Sequence, residues 1–148
     1  MLFRSQTNGK VTQLFEWAKI WRNIWTDGRP VPEDVAAGPY WYGYSVGKWE
    51  GDTFVIDVTA QNNKTWFDRS GNHHSDQLHV IERYTMVKPD VINYEATMED
   101  PMVFTRPWTI RMLLERQKDV GVLDYECTAM LDEQGIHHTW PRDYDVVR

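Results

Sequence analysis

The stretch from Tyr40 to Val58, "YWYGYSVGKWEGDTFVIDV", constrains the fold more than any other. Two runs rich in aromatic and β-branched residues flank Glu50-Gly51-Asp52, the pattern of two strands joined by a tight hairpin connection. The first run places Trp41, Gly43, Ser45, Gly47 and Trp49 on one face, and Tyr40, Tyr42, Tyr44 and Val46 on the other. Small residues between two tryptophans mark a strand that bends sharply or lets something approach closely. The second run separates Phe54, Ile56 and Val58 from Thr53, Val55, Asp57 and Thr59, which leaves Asp57 on the less apolar side.

The rest of the chain repeats this grammar. Turns at Asn8-Gly9, Asp27-Gly28, Lys88-Pro89-Asp90 and Lys118-Asp119 before Gly121 separate runs of strand composition. Further strands are predicted at Leu2 to Thr7, Leu78 to Val87, Val91 to Met98, Trp108 to Gln117 and Gly121 to Met130, together an antiparallel meander. "LFEWAKIWRNIW", Leu14 to Trp25, is ambiguous. Leu14, Trp17, Trp21 and Ile24 suit a helical stripe, but Ile20, Arg22 and Ile24 alternate straight into the turn at Thr26-Asp27-Gly28, and strands are the better reading. The expected fold is all-β: a single antiparallel β-barrel or rolled sheet of about eight strands, lipocalin-like (calycin-like), with room for one small ligand. Loops from Thr59 to Gln77 and from Arg29 to Pro39 are long enough to cover a mouth.

With 148 residues, 41% of them hydrophobic, and eight Trp and seven Tyr, the chain has ample material for one core and one domain over residues 1–148. A net charge of -6 and the absence of any basic run argue against a nucleic-acid partner. Cys127 is the sole cysteine, so neither an intramolecular disulfide nor a cysteine-based zinc cage is available. No apolar run approaches the roughly 20 residues of a membrane-spanning helix, so no membrane partner is expected. "MLFRSQTNGK" lacks a signal peptide's apolar segment. The expectation is a soluble chain, cytoplasmic as written, or periplasmic or secreted if it is the mature or truncated form of a longer precursor. Asn63-Lys64-Thr65 matches a glycosylation sequon by three residues only.

Candidate chemistry concentrates in "GNHHSDQLHVIERY", Gly71 to Tyr84. A metal site on a strand favours His-x-His, whereas this chain offers His73-His74 and then a gap of four before His79. At most one of His73 and His74 joins His79, and a third ligand such as Glu82, Asp68 or Asp76 is then required. Glu82 lies on the opposite strand face from His79 by parity. Acid/base chemistry demands less: a histidine beside a carboxylate shuttles protons near neutral pH, and Asp68, His74 and His79 are close in sequence, with Asp57 and Glu95 available from the wall. The plainer alternative makes His79 a half-buried strand residue and His73 and His74 solvated loop residues. Ser75 has no nucleophile elbow around it.

Most tryptophans are expected in the core. Trp66 stands apart, because "KTWFDRSG" is otherwise polar and an aromatic there is expected to dock inward or line a cavity. With Tyr42, Tyr44 and Tyr125 it would form an apolar wall with hydrogen-bonding tips, suited to a ring or a sugar. Arg22, Arg83, Arg106 and Arg111 are candidates to anchor a carboxylate or to form ion pairs. His137 and His138 fall in a polar chain end and carry little functional weight.

The order of several motifs resembles an uncharacterised family of bacterial proteins, often longer and many of them secreted in appearance. The motifs are Thr26-Asp27-Gly28-Arg29-Pro30, the run from Gly43 to Thr53, Thr65-Trp66-x-Asp68-x-x-Gly71-x-x-His74-Ser75, and Leu78-His79-Val80-x-Glu82-Arg83. The resemblance covers roughly Lys10 to Cys127, and implies a shared fold and a shared site without an established activity. The family pattern matches at Trp66, Asp68, His74, Ser75, His79, Glu82 and Arg83. It departs at His73, where a small residue or proline is expected, and before Leu2, where relatives usually carry an extra segment.

The first functional expectation is a small-molecule enzyme without an organic cofactor, a lyase, isomerase or hydrolase acting by proton transfer. His74 or His79 is the base, Asp68 or Glu82 orients it, Trp66, Tyr42, Tyr44 and Tyr125 hold the substrate and Arg83 binds an anionic group. The second is a non-catalytic lipocalin-like carrier of an apolar or sugar-like ligand. A third, a metal-dependent enzyme with a His-bound ion, stays open, and a homodimer is compatible with all three.

Overall fold

The computed structural model describes residues 2–16, 19–33, 40–68, 70–118 and 121. They form eight strands: β1 (Leu2–Thr7), β2 (Lys10–Phe15), β3 (Ile20–Trp25), β4 (Tyr44–Glu50), β5 (Thr53–Thr59), β6 (His79–Lys88), β7 (Val91–Glu99) and β8 (Trp108–Glu115). All eight join one sheet in chain order. The segment that reads two ways from Leu14 to Trp25 is strand on both sides of a turn, since β2 and β3 pair from Lys10↔Trp25 to Phe15↔Ile20. Trp17, Tyr125, Cys127, His137, His138 and Trp140 lie outside the described residues, as does the strand expected from Gly121 to Met130 beyond its first residue.

The sheet is strongly curled into a half-barrel, and side-chain reach shows why. In a flat sheet β2 and β6 would stand about 19 Å apart, at nearly 5 Å per strand. Yet the Gln13 amide of β2 donates to the Tyr84 hydroxyl of β6 at 3.3 Å, and Arg22 of β3 meets Glu82 of β6 at 2.6 Å. Contacts across so many strands require the sheet to roll toward the face that carries these side chains. On that concave face Val11, Ile24, Phe54, Ile56 and Val58 make one buried cluster. Leu78, Ala96 and Met98, with Phe67 and Trp108 against them, make a second toward β7 and β8. Full burial of side chains such as Ile24 and Ile56 contributes about 1.5–3 kcal/mol each.

The hairpin read from Tyr40 to Val58 forms with Glu50 opposite Thr53 around Gly51-Asp52. Its first arm is shorter than the composition suggests. Tyr40 to Gly43 are not strand, because Gly43 turns at φ 68° with the Thr59 carbonyl only 2.7 Å from where a Cβ would sit. Tyr40 instead lies beside Gln61, its N–H donating to Ala60 O and its carbonyl accepting from Asn62 N–H, both at 3.0 Å.

One pairing departs from an antiparallel meander: β3 and β4 run parallel, through Ile24↔Ser45 and Trp25↔Val46 alone. The chain after Trp25 is held against the sheet. Thr26 N–H is held by Gly9 O at 2.9 Å, and the Arg29 guanidinium stacks 3.7 Å above the Trp25 ring. Asp27 grips Arg29, whose hydrogen bonds hold that exposed carboxyl down at about 2. Thr26 to Val31 thus form a strap over Val46, Val55 and Ile81 of the convex face. No helix among the described residues is long and apolar enough to cross a membrane.

Gly47 marks how tightly the concave face is filled, since an added Cβ would lie 2.6 Å from the Phe54 ring and 2.7 Å from Ile24 Cγ2. Both neighbours are buried, so neither can swing aside. Gly47→Ala should cost about 1–3 kcal/mol of unfolding free energy, read from the urea midpoint at unchanged m-value.

Candidate functional site

The short parallel pairing shapes the site. Before Ile24, β3 has no strand partner on its β4 side among the described residues, so the sheet splays there. The splay opens a cavity of about 320 Å³, lined by Phe15, Ile20, Arg22, Tyr42, Val58 and Gln61. Phe15 and Ile20 face each other across the β2–β3 ladder, and Tyr42 and Gln61 are brought to the rim by the Tyr40–Gln61 bridge. The walls are mainly apolar, and the cavity falls within the size range of small-ligand sites.

Arg22 borders this cavity and belongs to a buried network. Its Nη1 and Nη2 donate to the two oxygens of Glu82 at 2.9 and 2.6 Å, and its Nε and Nη2 donate to Gln13 Oε1 at 2.9 and 2.7 Å. The Tyr84 hydroxyl donates to Glu82 at 3.1 Å and accepts from Gln13. Burial disfavours the Arg22 charge, but the paired Glu82 carboxylate outweighs it and holds the guanidinium above its usual pKa. Burial, reinforced by Glu82, pushes the Tyr94 hydroxyl up to about 12 and Tyr84 further still. The network is therefore an ion pair set in neutral phenols. Beyond it, Ser45, buried opposite Val58, has a hydroxyl with no hydrogen-bond partner among the described residues.

Of the residues singled out by the sequence, Tyr42 and Arg22 line this cavity, and the other described candidates do not. Glu82 faces inward and is committed to Arg22, whereas His79 and Arg83 point from the convex face, in keeping with parity. His79 Nε2 lies 3.0 Å from Asp57, with Glu99 at 3.7 Å from Nδ1, and Arg83 pairs with Glu50. Tyr44 is buried, with its hydroxyl at Arg29 of the strap, so it faces away from Tyr42. Trp66 stands 74% exposed, contrary to the expectation that it docks inward. Its backbone bridges His73 in a small hairpin, which lets the ring project into water.

That hairpin explains the motif around it. Asp68 caps the tip by accepting from Asn72 Nδ2 at 2.7 Å and Ser70 N–H at 2.8 Å, and these bonds, the Asn72 side chain first, lower its pKa. His74 is buried, its Nε2 2.6 Å from Thr65 Oγ1, its Nδ1 2.9 Å from Ser75 O and its ring edge-on to Phe67. Ser75 donates through N–H and Oγ to Asp100, both at 2.7 Å, and Asp100 also accepts from Met102 N–H. Asp68, His74 and Ser75 thus fasten the β5–β6 loop over Leu78, Met98 and Trp108. The expected meeting of Asp68, His74 and His79 does not occur: their partners are Asn72, Thr65 and Asp57 respectively. Among the described residues no three His, Cys, Asp or Glu side chains group as metal ligands.

A second hollow, of about 770 Å³, lies on the convex face beneath the strap, with Val46, Val55 and Ile81 lining it beside Asp57, Arg83 and Glu50. It is larger, but its charged groups are exposed and screened, so they distinguish ligands weakly. Gln13, Phe15, Ile20 and Gln61 were not marked by any motif, yet they build the inner site. The usable signal was Arg22 between Ile20 and Ile24: a cation on an apolar face needs a buried partner. Comparison with family models, curated proteins and solved structures found no match to the chain.

The loop fastening has a pH signature. Burial alone would raise the Asp100 pKa, but hydrogen bonds from Ser75 and Met102, with His74 nearby, outweigh it and lower the pKa. A depressed folded-state pKa stabilises fully above the unfolded value near 4 and is lost as pH falls through the folded one. Asp100→Asn should flatten the loss of stability between about pH 5 and pH 3. His74→Ala should cost about 1–3 kcal/mol in urea unfolding at pH 7.

Proposed function

We propose that the half-barrel binds one small, largely apolar molecule at its splayed mouth and acts as a carrier or sensor. The observation that carries this reading is the cavity itself, apolar in its walls and ending on an ion pair already satisfied by its neighbours. None of the described histidines points to the concave side: His79 is convex, His74 is held in the loop and His73 is exposed. A proton-transferring group aimed at the bound molecule is what catalysis there would require.

A second reading, acid/base catalysis by a lyase, isomerase or hydrolase, is favoured by one observation on the other face. His79 sits 3.0 Å from Asp57, and Asp57 and Arg83 both line the convex hollow. There His79 would serve as the base, Asp57 would orient it and Arg83 would bind an anionic group, while His74, Asp68 and Glu82 would stay outside the site.

The neutral fluorophore N-phenyl-1-naphthylamine separates the two faces. It should bind with one-to-one stoichiometry and enhanced emission, lose binding in Ile20→Trp, which fills the mouth, and be indifferent to His79→Ala. Unchanged binding in Ile20→Trp would place the ligand elsewhere and remove the carrier reading.

A further inference from the structure

We infer that the mouth cavity selects electrically neutral ligands carrying a hydrogen-bond acceptor, and discriminates against carboxylates and ammonium ions of the same shape. The inference rests on the binding reading above and adds to it the charge class of the ligand.

An arginine at the end of an apolar cavity ordinarily invites a carboxylate, which it would hold through two parallel N–H···O bonds. Arg22 has no such fork left to offer. Of its five N–H groups, four are donated to Gln13 and Glu82, leaving one on Nη1 without a partner among the described residues. Its charge is matched by a carboxylate 2.6 Å away, with side-chain exposures of 13% for Arg22 and 9% for Glu82. A ligand carboxylate would shed its hydration, find one N–H and meet the field of Glu82. The chain's net charge of -6 opposes an anion further.

A ligand cation fares no better. Glu82 already accepts three hydrogen bonds, from Arg22 Nη1, Arg22 Nη2 and the Tyr84 hydroxyl, and Arg22 repels any second cation. A carbonyl or ether oxygen suits the remaining N–H, and the Gln61 amide at the rim can serve a second polar atom of either kind. The walls of Phe15, Ile20, Tyr42 and Val58 then take the apolar body of the molecule.

The test keeps one ring and changes only the head. 2-Acetylnaphthalene, 2-naphthoate and 2-naphthylmethylammonium compete at pH 7 against bound N-phenyl-1-naphthylamine on the full chain, with direct calorimetric titration of each. The ketone should displace the fluorophore at concentrations at least about tenfold lower than either ion, a difference of about 1.4 kcal/mol. Naphthoate or the ammonium ion competing at equal or lower concentration overturns the inference while the binding reading stands. Absence of binding by the fluorophore and all three compounds overturns both. In Glu82→Gln the uncompensated Arg22 should shift the preference to naphthoate, and a folded variant that keeps the ketone preference also counts against the inference. If that variant does not fold, the panel on the parent chain decides.

Discussion

The half-barrel depends on one buried ion pair. Arg22 enters from β3 and Glu82 from β6, and their bidentate contact fixes how far the sheet must roll. Removing two charges from water costs several kcal/mol per ion, which their attraction offsets only when geometry is good and the remaining donors and acceptors are met. Here Gln13 and Tyr84 supply those partners, and Gln13 reaches from a further strand. The polar network therefore does what apolar packing alone does poorly. It names a particular curl, because a slip of one residue in either strand would turn a partner to the convex face.

The same pair leaves Arg22, in the wall of the cavity, with a single N–H unpartnered among the described residues, while the cavity itself comes from the short contact between β3 and β4. β4 runs parallel to β3 over two residue pairs, too few to seal the gap toward the β2–β3 turn. On the far side, the β5–β6 loop is pinned by Asp68, His74, Ser75 and Asp100 and covers the second cluster. The open and the covered parts of the barrel end thus follow from different local chemistry. A two-residue parallel contact leaves one side splayed, and a hydrogen-bonded hairpin closes the other.

Much of this was legible from period-two reasoning. Parity places Arg83 with His79 and sets Glu82 against them, and the turn residues locate the hairpin at Glu50-Gly51-Asp52 and most strand ends. What escaped has a common cause. The parallel β3–β4 pairing and the contacts of the strap, Arg29 on Trp25 and Thr26 on Gly9, join residues that no strand's own composition links. In the histidine-rich motif, buried polar residues that hold a loop are the same residue types that transfer protons, so the sequence alone does not separate the two roles. Only the partners tell them apart: His74 is satisfied by Thr65 and a backbone carbonyl, and Trp66 is turned out by its bridge to His73. Arg22 was recognised as a possible anchor, but its partner lies 60 residues away, a pairing that no local pattern encodes.

The most direct test of the central claim is a double-mutant cycle on the pair, with Arg22→Met, Glu82→Leu and the combined variant compared by urea unfolding at pH 7. Each single change strands a buried charge and should cost about 3–5 kcal/mol, whereas the double change should cost far less than their sum, with a coupling of about 3 kcal/mol or more. Single costs that add to within about 0.5 kcal/mol would show that the two side chains act independently, and would contradict the account.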